Sequence, residues 1–474
     1  MMKQFGSMKV VAAAALMTTT VAQAQTANQG ADKLRYLPHA KSALSSMYLD
    51  IASARKSIDM TYFIFDPCST VGRIVIKKMS EKAKEGVPVR ILLDGTSQGP
   101  NEWGKLTGVL KKRGIELRYF NREFYSESQG WSEMNIEANW RTHAKITLVD
   151  GERYITGGRN IADDYYSLQP GFNFLDRDAR VEGPSAKQAV KYYNELWNSQ
   201  HTFTADVAPE NDVNEFEKWC LVENNQRADA VEAWLEANAA QTVAGYPVHA
   251  CKDTEFVQDN PAFRKDRYAF TNFLRSMSWR AKENMKEKRM THTVLDLLDN
   301  TQKRVYIENW AYIPSWGIKQ RFDAIRKDPK KNIYVVSNDI TDVGPMATMQ
   351  LDAIKRDNMD KRIAGVSKHG RLDDTWEMTP DKEGQFMLHS KVWTFDGKHT
   401  LVSSYNLDPR SYHTNVESGV LARNCPAFHN EVAKHSKELA DLARLDRRDC
   451  AKCKEVPEIS WKDRFHNRLK REFY

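Results

Sequence analysis

Two stretches of this chain repeat one pattern of chemically capable residues. His143, Lys145, Asp150 and Asn160 recur at the same spacing as His389, Lys391, Asp396 and Asn406, and two small residues precede each Asn: Gly157-Gly158, then Ser403-Ser404. One His-x-Lys is an ordinary surface strand, but a second copy at matching offsets makes chance a poor account. Neutral imidazole can attack phosphorus, and a second, protonated imidazole can give its proton to the departing oxygen. Two ammonium groups and two carboxamides around the non-bridging oxygens would stabilise the charge that develops between them. Such chemistry calls for no cofactor, and two lysines make a catalytic metal both unnecessary and electrostatically disfavoured.

Each copy reads as a β-hairpin. The apolar run after His143 reaches Asp150-Gly151 and returns through Tyr154 and Ile155, and the second copy has the same dipeptide at Asp396-Gly397. Asp-Gly between apolar runs is a strong turn signal. Strand alternation puts His143 and Lys145 on one face and Asp150 on the other, with the same outcome for His389, Lys391 and Asp396. A two-residue turn sets His143 opposite Gly158 and His389 opposite Ser404, and returns Asn160 and Asn406 to the histidine face. Asp150, Asp396, Gly157, Gly158, Ser403 and Ser404 are therefore assigned to the hairpins and their surroundings. His, Lys and Asn from each half remain to form one composite site.

The surrounding pattern predicts the scaffold. Residues 57–65 read as a strand, 71–85 as a helix, 89–94 as a buried strand, 103–113 as a helix and 115–120 as extended chain. Strand, helix, strand implies a parallel crossover in a sheet covered by helices. The second half repeats this with a helix near 293–300 and strands at 304–308 and 332–337. The expected fold is α/β: two similar lobes, each a mixed β-sheet flanked by helices, with the active site at the lobe interface. The expected divisions are a secretory segment over 1–24, a first lobe over 25–205, a helical linker or insertion over 206–250, a second lobe over 251–424, and a helical, then basic, tail over 425–474. The polar and aromatic stretch 124–139 reads as a surface loop that shapes access to the first motif.

Hydrophobic residues make up 41% of the chain and charged residues 28%, the balance of a folded soluble protein. Lys3 and Lys9, the apolar run 10–21 and Ala22-Gln23-Ala24 form a secretory signal, so the mature chain should begin at Gln25 in the periplasm or beyond. Losing those two lysines takes the net charge from +7 to +5, which suits an anionic substrate without separating phospholipid from nucleic acid. The cysteines are Cys68, Cys220, Cys251, Cys425, Cys450 and Cys453, an even set that reads as disulfides in an exported chain. Cys220 with Cys251 is a plausible local pair. Cys450 and Cys453 read as structural, because no second ligand pair completes a zinc site.

The two motifs resemble the HKD motifs of the phospholipase D superfamily, in which His-x-Lys, Asp and Gly-Ser-x-Asn follow in that order. Residues 157–166, 176–184 and 406–411 are similar to segments of the bacterial cardiolipin synthase and phospholipase D branch. The resemblance implies the two-lobed fold and a covalent phosphohistidine, released by water or an alcohol. It implies an anionic or zwitterionic phospholipid substrate, a peripheral encounter with a membrane surface, and a monomer that suffices for a complete site. It makes His143 and His389 the catalytic pair, with the first as nucleophile, and puts Lys145, Lys391, Asn160 and Asn406 on the phosphate. It makes Glu417 the acid that orients a histidine, with Asp178 as its counterpart in the first half. Gly158 stands where the family has Ser and Ser403 where it has Gly, departures expected to tune activity without abolishing it. Two other readings stand beside this one: a nuclease with the same chemistry, for which Trp310, Tyr312 and Trp316 could stack bases if they are not core, and a non-catalytic envelope-binding protein.

Overall fold

The computed structural model describes residues 30–122, 140–223, 225–261, 288–339, 347–357, 363–366, 376 and 385–449. The expected secretory segment over 1–24, the whole of the expected access loop over 124–139, Cys450 and Cys453 lie outside these residues. The first half contributes strands β1 (Asp32–Leu37), β2 (Ile58–Tyr62), β3 (Val89–Asp94), β4 (Ile115–Phe120), β5 (Ile146–Val149), β6 (Arg153–Gly157), β7 (Phe172–Leu175), β8 (Asp178–Glu182), β9 (Thr202–Phe203) and β10 (His249–Cys251). The second contributes β11 (Asp253–Gln258), β12 (Arg304–Glu308), β13 (Asn332–Asn338), β14 (Ile363–Val366), β15 (Gln385–Leu388), β16 (Val392–Phe395), β17 (His399–Ser403) and β18 (Ser418–Arg423).

The halves are copies. The first sheet runs β10-β1-β8-β6-β5-β2-β3-β4-β9 and the second β11-β18-β17-β16-β12-β13-β14, so the same seven-strand order recurs, with β10 and β9 added at the edges of the first. In each, three parallel strands (β2-β3-β4, β12-β13-β14) adjoin the antiparallel motif hairpin (β5-β6, β16-β17). The helix Thr70–Lys84 makes the first parallel crossover, its N-terminus capped by Ser69, whose hydroxyl accepts from Gly72 N.

Alternation along the strands decides how the lobes meet. Leu148, Tyr154 and Val181 of the first sheet face Val392, Val402 and Val420 of the second in one shared core, while Val149 and Ile155 point to the helices of the first lobe. Both faces of each motif hairpin are thus buried, and the lobes cannot separate without exposing a continuous apolar layer. The helix Gln226–Ala244 packs Val231, Leu235 and Ala239 into the first lobe's core beside Met47 and Ile51. The helix Pro426–Asp449 sets Phe428 and Val432 into the layer between the sheets.

The disulfides among the described residues are Cys68–Cys220 and Cys251–Cys425. This corrects the expected Cys220–Cys251 pair. The 19-residue helix Gln226–Ala244 carries the chain about 28 Å between those two cysteines. Pairing of Asp253 with Arg423 at the start of β11 instead brings Cys251 beside Cys425.

Candidate active site

The motif aspartates hold backbone. Asp150 and Gly151 both have positive φ (59° and 67°), as do Asp396 and Gly397 (55° and 78°), and Glu152 N donates to Val149 O as Lys398 N does to Phe395 O. This is the tight turn that Asp-Gly favours. The Asp150 carboxylate then accepts from the amides of Arg55, Lys56 and Ser57, and Asp396 from those of Gln302, Lys303 and Arg304. Each pins the entrance of the neighbouring strand, β2 or β12, to the hairpin.

Past the turn the register differs from the expected one. Val149 pairs with Arg153 and Phe395 with His399, so one extra residue follows each turn and extrapolation puts His143 level with Arg159, not Gly158. The histidines are instead positioned beyond the ends of the ladders, by the other lobe. Thr142 bridges Val416 in parallel, and His143 N donates to Val416 O. Correspondingly, Leu388 of β15 pairs with Leu175 of β7, and His389 N donates to Leu175 O. The residue before each histidine is also held by a side chain at the end of a parallel strand: Asp94 Oδ2 accepts from Thr142 N (2.9 Å), and Asn338 Oδ1 from Leu388 N (2.7 Å).

This delivery sets each imidazole against a carboxylate from the opposite half. His143 Nδ1 lies 2.9 Å from Glu417 Oε2, and His389 Nδ1 lies 2.5 Å from Asp176 Oδ2. The expectation that Asp178 plays this part is corrected. Asp178 pairs with Arg159, at 2.8 Å, and its counterpart in the second half is Gly419, since Gly157 faces Asp178 across its ladder as Ser403 faces Gly419. Counting back two residues from each makes Asp176 the equivalent of Glu417. Parity could not separate Asp176 from Asp178, because residues two apart share a strand face. Aligning the apolar Ala179 and Val181 with Val420 and Ala422 would have done so.

Lys145 and Lys391 are almost wholly buried, and each donates to the carbonyl of its own motif histidine. Asn160 accepts from Ile64 N at 3.1 Å, and the carboxamide oxygen of Asn406 is buried with no partner among the described residues. Ser404 and Ser411 both donate to Glu417, and Asn415 donates to it at 3.2 Å. Ser411 and Asn415 had no signal in the repeat, because the first half has no matching residues. Phe63 packs against His143, and Phe174 and Tyr165 against His389.

Burial dominates the electrostatics. It would raise both carboxyls, but the facing histidine, foremost, and the lysines bring Glu417 and Asp176 down to about 2. Burial pushes His143 down despite Glu417, and burial with Lys391 takes His389 to about 3. Both rings are therefore neutral near pH 7, and their carboxylate contacts are hydrogen bonds from Nδ1–H, not ion pairs. Lys391 Nζ also approaches His389 Nδ1 at 2.8 Å, but that nitrogen's proton goes to the carboxylate, so the lysine's effect on the ring is repulsive. With Nδ1 protonated, each Nε2 keeps a lone pair.

Burial, ahead of every other cause, lowers Lys145 to about 7 and Lys391 to about 8, and each lysine acts on the other half's histidine. One field spans both motifs. A depressed lysine loses its charge as pH rises through its folded value, and a bound anion restores it. Dimethyl phosphate, which does not titrate near neutrality, is therefore expected to bind at pH 8 with uptake of about one proton and to weaken as pH rises further. Calorimetric titration in buffers of different ionisation enthalpy measures this; a buffer-independent enthalpy would contradict it.

The chain is similar to known proteins in sequence and in fold. The family model described as "Cardiolipin synthase, PLD-like domain" matches twice, over residues 48–197 and 294–440. The chain is 24% identical over 464 residues to cardiolipin synthase C of Escherichia coli K12, covering 89% of this chain and 87% of that protein. It is 26% identical over 410 residues to an uncharacterized protein of Helicobacter pylori 26695, covering 82% and 76%. Its fold is similar to that of phosphatidylserine synthase from Haemophilus influenzae Rd KW20, with a TM-score of 0.61 at 12% identity, over 96% of this chain and 100% of that one. Two motif copies, two equivalent sheets and two matches of the family model fall in the same halves, and the chain belongs to the phospholipase D superfamily, in the family of the cardiolipin synthase PLD-like domain.

Proposed function

We propose that this protein is an exported phospholipase D-type phosphodiesterase or phosphatidyltransferase that cleaves or exchanges phospholipid headgroups. The observation that carries the reading is the crossed pair, His143 on Glu417 and His389 on Asp176, with Lys145 and Lys391 buried between two anionic carboxylates. With both rings neutral, two fully protonated lysines would balance two carboxylates. A phosphodiester adds one negative charge, which first restores any proton missing from the lysines and then favours one on an imidazole, supplying the acid.

The Nε2 lone pair of His143 attacks phosphorus as the bond to the headgroup oxygen breaks. That oxygen takes the Nε2 proton of His389, leaving a phosphatidyl group on His143 and a neutral His389. Water or an alcohol then gives its proton to His389 as its oxygen attacks phosphorus, and the P–N bond breaks to restore both histidines. Lys145, Lys391, Asn160 and Asn406 bind the non-bridging oxygens. Giving the first role to His143 follows the superfamily resemblance.

Export is supported by the amino-terminal pattern and by the disulfides, which persist in oxidising compartments. No helix among the described residues is long and apolar enough to cross a membrane, so attachment to the lipid surface is proposed as peripheral. Of the three aromatics weighed for base stacking, Tyr312 is buried in the second lobe's core and Trp316 is 41% exposed, beside Lys319. The test is mass spectrometry of products from vesicles of phosphatidylglycerol and phosphatidylethanolamine, with and without added glycerol, beside a single-stranded DNA control. Released headgroup or exchanged lipid is expected; intact lipid with cut DNA would overturn the lipid reading in favour of the nuclease.

A further inference from the structure

The two halves solve one steric problem in opposite ways. In the second, Ser404 lies beside Glu417 and donates to it. In the first, an added Cβ at Gly158 would lie 2.0 Å from Asp176 Oδ1 and 2.6 Å from its carboxyl carbon. The backbone frames match: Gly158 N donates to Arg177 O as Ser404 N does to Ser418 O. Gly158 is not among the glycines with positive φ, so space excludes a side chain there, not backbone conformation.

The neighbouring ladder position is packed as tightly. Gly157 faces Asp178, and a Cβ on Gly157 would come within 2.2 Å of Asp178 Oδ1. In the second half Ser403 faces Gly419, and a Cβ on Gly419 would come within 2.5 Å of Ser403 Cβ. At this ladder position the bulk sits on one strand in the first lobe and on the other strand in its copy, whereas at Gly158 the first lobe has no side chain beside the shorter Asp176 and the second sets Ser404 beside the longer Glu417. The two departures from the family pattern, Gly158 and Ser403, are therefore both matched by a change on the facing strand.

We propose that Gly158 is a positioning residue for His389. Asp is one methylene shorter than Glu, so to reach the imidazole its carboxyl group occupies the volume that Ser404 fills in the other half. Gly with Asp and Ser with Glu are then working pairs, while the mixed pairs are not. Ser at 158 displaces Asp176 from Nδ1 of His389, the ring loses its fixed tautomer and orientation, and turnover falls while phosphate binding through the lysines persists. This rests on the catalytic reading above.

The test uses the full disulfide-bonded chain with bis(p-nitrophenyl) phosphate as substrate. Gly158→Ser is expected to lower kcat about 100-fold with KM within about threefold. Gly158→Ser with Asp176→Glu, which copies the second half, is expected to recover to within about tenfold of the starting enzyme. A second readout needs no turnover: the downfield proton resonance of the His389 Nδ1–H···carboxylate bond should vanish in Gly158→Ser and return in the double variant. Should wild-type protein leave the substrate intact, the catalytic reading fails while the resonance still decides the packing claim. If Gly158→Ser does not fold, the reciprocal pair carries the test, since it only removes atoms. Ser404→Gly with Glu417→Asp should then exceed Glu417→Asp alone by about tenfold. Wild-type activity and resonance in Gly158→Ser, or paired variants no better than the single ones, would overturn the proposal.

Discussion

Replacing either His143 or His389 by Ala is expected to lower kcat for phospholipid cleavage by about 10⁵-fold, and replacing both to cost little more than replacing one. The reason is that the imidazoles act as one unit: the attack by one Nε2 leads nowhere unless the other protonates the leaving oxygen. What separates the two variants is the leaving group. p-Nitrophenolate departs without an acid, so His389→Ala should still form the phosphoryl-enzyme from bis(p-nitrophenyl) phosphate and accumulate it, because its breakdown lacks a base for water. His143→Ala should form none. Intact-mass measurement of the quenched enzyme reads this directly. A covalent adduct in His143→Ala but not in His389→Ala would reverse the roles, and full turnover by the double variant would show that the chemistry lies elsewhere.

Asp176→Asn is expected to cost about 10³- to 10⁴-fold in kcat with little change in KM. A carboxamide can offer N–H to Nδ1 and stabilise the wrong tautomer, removing the Nε2 lone pair that must receive a proton. Asp178→Asn should act on stability. Arg159 is buried and donates to Asp178 at 2.8 Å, so removing that charge takes from a buried guanidinium the carboxylate it is hydrogen-bonded to, at a cost of about 3 kcal/mol. Melting curves and steady-state kinetics on the two variants separate these outcomes. Lost turnover in a fully stable Asp178→Asn, with an active Asp176→Asn, would reject the pairing of His389 with Asp176.

The contrast between these aspartates marks the limit of what local patterns carry. The doubled His-x-Lys-Asp-Asn repeat, the α/β class and the two equivalent halves all rest on spacings of a few residues, where turn chemistry and strand alternation act. Asp150 and Asp396 could be set apart from the chemistry for that reason. Asp-Gly dictates a turn, and the carboxylate of a residue at its corner sits where the amides of the next strand's entrance converge. The same reasoning failed one residue past the turn, where the extra residue in each ladder shifts the register, and the register follows from how both faces pack and not from the dipeptide.

What the sequence by itself determined is which groups this protein brings to phosphorus: two imidazoles, two ammoniums and two carboxamides, each half supplying one of every kind. What only the tertiary structure decided is who holds them. His389 and Asp176 are 213 positions apart, and His143 and Glu417 are 274 apart. No local preference acts across such distances. The crossing follows from the packing of two like sheets face to face, which sets each motif strand against the other lobe's acid-bearing strand. The same packing buries the lysines and depresses their charge, and it makes Gly158, in the linear motif only a departure from Ser, the space into which Asp176 fits.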